Sequence, residues 1–280
     1  MICLEGIKNN KLMKDENVIA LLEKFQSLNL SATIDFDKFN NYAITHHSTT
    51  IEGSTLTEIE TRLLLDEGIT PAGKPLLHSL MVKDHYEALL FVFKNAADKV
   101  LITSMFIQSI NAQVMKQTGS IYQTVFGELD ATKGVFRKGN VSAGSTYFVS
   151  YDKVKLLVKK LCDSIESKLP TVNTVIEKLN LSFDAHFDLV TIHPFYDGNG
   201  RTSRLLMNYL QLQLGLPMSI VFKEDKAAYF EALQQTRLKE DMTIFRSFMY
   251  SQCEKYLLQE IEKFEAIHKK ETGSGYSFVF

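Results

Sequence analysis

Apolar residues recur every three or four positions through most of the chain, with polar residues between them, and that period predicts helix. The predicted helices run from about Glu16 to Ser27, Phe36 to Thr50, Thr57 to Asp66, His78 to Ala96 and Ile102 to Lys116. Others cover Asp152 to Lys168, Val172 to Val190 and Arg201 to Leu214, with another beginning near Lys226. Thr243 to Lys269 reads as one or two amphipathic helices, with Leu257, Ile261 and Phe264 on one side. Thr57 with Glu60, or Thr55 with Glu58, offers a capping box. Gly215 and Pro217 form a stop signal.

The helical period fails between Thr118 and Ser150, where five of the 14 glycines fall: Gly119, Gly127, Gly134, Gly139 and Gly144. A long segment of this kind inside a helical protein is usually functional or disordered. Val141 to Val149 predicts a small hairpin turning near Gly144. The expected fold is therefore all-α with one β-hairpin. No strong linker interrupts it, so one compact unit is expected. It divides into an N-terminal helical region (1–96), a core (97–250) and a C-terminal helix and tail (251–280), in which Tyr276 to Phe280 reads as a short strand or docking peptide.

Composition narrows the class. With 280 residues, 45% of them hydrophobic, folding hides about 75% of the unfolded chain's surface. A formal net charge of −2 gives no general attraction for nucleic acid. There is no bilayer-length apolar run, so no membrane role is expected, and Met1 to Asn17 is too polar for a signal peptide. Cys3, Cys162 and Cys253 are odd in number and scattered, which points to reduced thiols in a cytoplasmic protein.

The densest chemistry lies in His193 to Arg204, HPFYDGNGRTSR, a loop between two apolar helices. Asn199 or Asp197 is placed to cap the second helix. A helix start leaves backbone N–H groups without partners, and with the helix dipole they form an anion site. Gly198 and Gly200 keep side chains away from a phosphate there. Arg201 and Arg204, three apart, share a helix face and can meet one polyphosphate. Asp197 is a hard oxygen ligand suited to Mg²⁺, and His193 can accept a proton near neutral pH. His186 and His193 with Asp188 and Asp197 also allow a metal-hydrolase site to be drawn, although His186 more simply packs within its helix.

This segment resembles the signature of the Fic family, His-x-Phe-x-(Asp/Glu)-Gly-Asn-Gly-Arg-x-x-Arg, and matches every defined position. The resemblance covers roughly Thr45 to Tyr250. It implies a Fic-type helical core with a hairpin flap and an N-terminal helical extension. It also implies transfer of AMP from ATP to a hydroxyl side chain. By that resemblance His193 is the base, Asp197 holds Mg²⁺, and Gly198, Asn199 and Gly200 form the anion hole. Arg201 and Arg204 grip the distal phosphates, and Phe195 anchors the loop in the core.

Ser48 to Gly53, STTIEG, fits the family's inhibitory pattern (Ser/Thr)-x-x-x-Glu-(Gly/Asn), at the end of a helix covering about 36–53. Ser48 and Glu52 share a helix face, and Gly53 is a natural stop. By similarity Glu52 pairs with Arg204 and takes the place of the ATP γ-phosphate. The stretch 134–149 resembles the flap, with Gly134-Val135-Phe136-Arg137 as its lead-in. Gly144, Ser145, Thr146 and Tyr147 would hold a target segment by adding a strand. Many relatives carry prolines just after the flap, where this chain has Tyr147, Phe148 and Val149. Tyr229 with Leu233 resembles the helix beside the adenine; an asparagine common in relatives is replaced by Arg237.

The implied function is an autoinhibited protein adenylyltransferase that uses ATP and Mg²⁺ on a target protein bearing a Ser, Thr or Tyr hydroxyl. A homodimer is compatible with this. Two alternatives remain open at this point: removal of AMP with Glu52 positioning water, and a nucleotide-binding interaction protein with little turnover.

Overall fold

The computed structural model describes residues 17–29, 36–144 and 146–273, with side chains placed as far as residue 266. Cys3, Ser145 and the segment Tyr276 to Phe280 lie outside the described residues. Helix α1 spans 17–27. It is followed by α2 (Phe36–Ile51), α3 (Glu58–Glu67), α4 (Leu76–Ala97) and α5 (Ser104–Val114). Two hairpins come next, β1 (Ile121–Thr124) with β2 (Gly127–Asp130), then β3 (Ser142–Ala143) with β4 (Thr146–Tyr147). The chain closes with α6 (Tyr151–Lys168), α7 (Val175–Ile192), α8 (Asn199–Gln213), α9 (Lys226–Lys239) and α10 (Met242–Gly273).

Helix starts follow local chemistry. Thr57 and Glu60 form the expected capping box of α3. A second box, Thr174 with Glu177, starts α7 three residues later than the apolar period predicts. Predicted as one or two helices, the C-terminal segment is one, α10, which buries Phe245, Met249, Cys253, Tyr256, Leu257 and Ile261. The free thiols of Cys162 and Cys253 are buried. Among the described residues no helix is long and apolar enough to cross a membrane.

Helix α8 is the central element, packed against α7, α4 and α5. Its leucines alone suggest one buried face, yet Thr202, Ser203, Asn208 and Gln211 are buried too. A helix enclosed on all sides must satisfy its polar groups internally. Gln211 does so by donating to Ser182 Oγ and Ser219 Oγ and accepting from the Ser219 N–H. These bonds tie the last turn of α8 to α7 and to the segment that follows α8.

The β3–β4 hairpin turns through Gly144 (φ +57°), as expected. The β1–β2 hairpin was not expected. Its two-residue loop, Val125-Phe126, lacks the Asn-Gly or Asp-Gly signal of a tight turn. It matters to the site because Tyr122 on β1 stacks on Tyr196, with ring centroids 4.6 Å apart.

Candidate active site

The loop His193 to Gly198 is held from both ends. His193 ends α7 in the left-handed region (φ +52°), its N–H donating to Leu189 O at 3.0 Å. Asn199 closes the other end: its Oδ1 accepts from the Phe195 N–H and its Nδ2 donates to Phe195 O, both at 2.9 Å. Phe195 is buried against Phe136, the core anchor that was expected. Neither Asn199 nor Asp197 caps α8 with its side chain. Gly198 is the cap residue instead, because the Asn199 amide is spent on Phe195 and Asp197 Oδ1 on the Gly198 N–H.

The two glycines serve different ends. A Cβ on Gly198 would lie 2.8 Å from both Asn111 Nδ2 and Met115 Sδ, and its φ is +77°. This glycine permits close packing of the loop on α5. A Cβ on Gly200 would lie 2.4 Å from Glu52 Oε1 and 3.2 Å from Arg204 Nη1. The space over Gly200, at the helix start, is therefore already filled by a carboxylate.

That carboxylate belongs to the helix end singled out in the sequence. Gly53 (φ +105°) follows the end of α2, leaving Ser48 and Glu52 on the face toward α8. Arg204 Nε donates to Ser48 Oγ at 2.9 Å, and its Nη2 donates to Ser48 O at 3.0 Å and to Glu52 Oε1 at 2.7 Å. Partial removal from water would raise the Glu52 carboxyl, but Arg204 and Arg201 outweigh it and hold the group below its ordinary value. Arg204 is 3% exposed and its Nη1 has no partner, nor has Nε of the buried Arg201. The other Arg201 nitrogens make only long contacts, 3.4 Å to Val114 O and 3.3 Å to Met115 Sδ. Two incompletely satisfied guanidinium groups beside a helix start have the chemistry to receive an anion.

His193 stands at the far side of this loop. Its Nδ1 lies 3.4 Å from Val190 O, which can only accept, so Nδ1 carries the proton and Nε2 keeps its lone pair. Burial lowers its pKa to about 4, so the imidazole is neutral across the physiological range. Phe148 lies flat on the ring, with centroids 3.8 Å apart and planes 11° from parallel. Arg137, 2% exposed, ties flap to loop: Nε donates to His193 O, Nη1 to Gly139 O and Nη2 to Val149 O. The sequence marked Arg137 only as part of a lead-in and Phe148 only as a departure from its relatives; neither was a site residue. A basic residue in a glycine-rich stretch was the available signal for Arg137.

A cavity of about 310 Å³ opens beside His193, walled by Gly144, Thr146 and Phe148 from the flap and Phe230, Leu233, Gln234 and Arg237 from α9. Gly144 and Thr146 border this cavity, whereas Tyr147 points to solvent, 87% exposed. Tyr229 does not line the cavity. It is 1% exposed, packed on Phe245 and Phe248, with its hydroxyl 2.8 Å from His186 Nε2. The ring at the cavity is its neighbour Phe230, since successive helical residues point about a quarter-turn or more apart. The same Tyr229 contact buries His186 in the core and removes it from any site shared with His193.

Asp197 is exposed, with one oxygen turned toward the Gly198 N–H and 3.6 Å from Arg201 Nη2. Among the described residues no three His, Cys, Asp or Glu side chains cluster as a metal cage. One open carboxylate beside an anion site is a donor set that suits Mg²⁺ shared with phosphate and water.

The Fic/DOC family profile matches residues 101–211. Over 213 residues the chain is 31% identical to protein adenylyltransferase Fic of Drosophila melanogaster and 29% identical to that of Drosophila willistoni. Each alignment covers 76% of this chain and 40% of the relative, so the chain spans less than half the length of the curated relatives it matches. A Fic-domain signalling protein from Bacteroides thetaiotaomicron superposes with a TM-score of 0.76 at 25% identity, covering 89% of this chain and 98% of that one. A fragment of Fic-1 from Caenorhabditis elegans superposes with a TM-score of 0.74 at 21% identity, over 96% of this chain and 76% of that one. Residues 101–211, with their complete loop signature, match the Fic/DOC family and form a domain of that family.

Proposed function

We propose that this protein is an adenylyltransferase that joins AMP from ATP to a Ser, Thr or Tyr hydroxyl of a target protein, and that Glu52 restrains it. The observation that carries the proposal is the Glu52 carboxylate 2.7 Å from Arg204 and directly over Gly200, in the space where a phosphate would be bound. The names of the curated relatives, protein adenylyltransferase Fic, support the reaction class.

The chemistry follows from the neutral His193. Its Nε2 takes the proton of the target hydroxyl as that oxygen attacks the α-phosphorus of ATP. The new P–O bond forms as the bond from the α-phosphorus to the α–β bridging oxygen breaks, and pyrophosphate leaves. The first-turn N–H groups of α8 face the oxygens on which charge develops. Arg201 Nε and Arg204 Nη1, both unpaired here, are donors for the departing phosphates. Asp197 would hold Mg²⁺, which when bound neutralises phosphate charge. A target segment is expected to pair along the short β3–β4 hairpin, presenting its hydroxyl to His193.

The reaction class is tested by supplying ATP labelled at either the α- or the γ-phosphate to the Glu52→Gly protein. Label on protein from the α position, abolished by a further His193→Ala substitution, is expected. Label from the γ position would instead mean phosphoryl transfer and refute the proposal.

A further inference from the structure

Arg201, Arg204 and Arg246 each face a carboxylate, whereas Arg237 has no hydrogen-bond or ion-pair partner among the described residues. It lines the cavity beside His193. Partial burial there lowers its pKa, a cost that a ligand with acceptor groups would offset. Gln234 stands one helical turn before it on the same wall, and the apolar walls are Phe148, Phe230, Leu233 and Val190. Aromatic and aliphatic walls with a few convergent polar groups suit a flat heteroaromatic ligand. Because His193 borders this cavity, a nucleotide with its α-phosphate at His193 would carry its base here; in this respect the inference rests on the proposed function.

A guanidinium only donates, through a rigid fork of five N–H groups. Guanine presents two adjacent acceptors, O6 and N7, which that fork matches; adenine presents N7 beside an N6 donor, which it does not. The Gln234 carbonyl can accept from the guanine N1–H or N2 amino group. We propose that Arg237 is a base-reading residue and that it makes GTP a donor nucleotide for this site at least as good as ATP. Transfer from GTP would be the same displacement at the α-phosphorus, with GMP joined to the hydroxyl and pyrophosphate released.

The test is calorimetric titration of ATP and of GTP into the full chain carrying Glu52→Gly, alone or with Arg237→Asn or Arg237→Lys, paired with label transfer from each nucleotide. GTP is expected to bind Glu52→Gly no more weakly than ATP. The Asn variant should lose at least about tenfold in GTP affinity relative to ATP. The Lys variant should lose the preference too, since it keeps the charge and lacks the fork. It decides the matter if the Asn variant melts early. A GTP-to-ATP affinity ratio that neither substitution moves beyond about twofold overturns the inference. A base preference that depends on Arg237, without label transfer from either nucleotide, would support Arg237 as the base-reading residue while refuting the transferase reading and GTP as a donor.

Discussion

Phe148 lies flat against His193, ring on ring at 3.8 Å, so one face of the imidazole is sealed by the segment that follows β4. The contact fixes the imidazole plane and excludes water from it. Burial is the main reason that the His193 pKa falls to about 4. Phe148→Ala is therefore predicted to move the acid limb of the kcat/KM profile, measured in a Glu52→Gly background, upward from near 4 toward the ordinary histidine value of about 6.5. The sign follows from His193 acting while neutral: a higher pKa extends inactivation by acid to higher pH. An unmoved acid limb would show that Phe148 neither shields nor positions the base.

The two loop glycines should fail in different ways when each becomes alanine. Gly198→Ala places a Cβ against Asn111 and Met115 at a positive φ, and is predicted to cost about 2–3 kcal/mol of stability, read as a lower Tm. Gly200→Ala meets the movable Glu52 carboxylate and has no positive φ, so it should melt nearly normally. Its methyl group stands in the anion site, and nucleotide affinity should fall about tenfold or more. Equal melting of the two variants would contradict the division of roles.

Arg137 is predicted to act on flap and loop together. Arg137→Ala removes donors to the carbonyls of His193, Gly139 and Val149 and leaves those acceptors unpaired. A loss of about 3 kcal/mol is expected, with a Tm lower by roughly 6–12 °C for a domain of this size. Hydrogen exchange should rise at residues 141–149 and 193–198 alike. Exchange that rises in the flap alone would mean the two segments are not coupled.

The restraint itself should be insensitive to pH through the neutral range. Glu52 is held below its ordinary value by Arg204 and Arg201, so the ion pair is fully present above the unfolded Glu value. It is lost only as pH falls through the lower folded value. The ratio of Glu52→Gly to wild-type transfer rates is predicted to stay constant between about pH 6 and pH 9. A ratio that collapses toward one within that window would identify a different titrating group as the restraint.

Much of this site was legible because its parts are local in sequence. His193 to Arg204 is one loop and one helix turn, and its spacing sets which groups share a face. Ser48 and Glu52 were legible as a helical pair, but their meeting with Arg204, 156 and 152 positions away, was available only through the family pattern. Side-chain direction was less legible. Tyr229 and Phe230 are adjacent, and period alone did not tell which ring faces the core and which the cavity. Asn199 had the right chemistry for a cap and spends it on Phe195 instead. The β1–β2 hairpin was hidden because its turn lacks the usual residues, and Phe148 was hidden because a stacking partner 45 residues distant leaves no periodic trace.

The proposed restraint is a competition between Glu52 and a nucleotide phosphate for Arg204 and the space over Gly200. It is tested most directly by the initial rate of AMP transfer, including self-modification, from α-labelled ATP to protein in wild type and in Glu52→Gly under identical conditions. The predicted result is a rate at least about tenfold higher in Glu52→Gly, equivalent to about 1.4 kcal/mol or more of restraint removed. Equal rates in the two proteins, or a faster wild type, would contradict it.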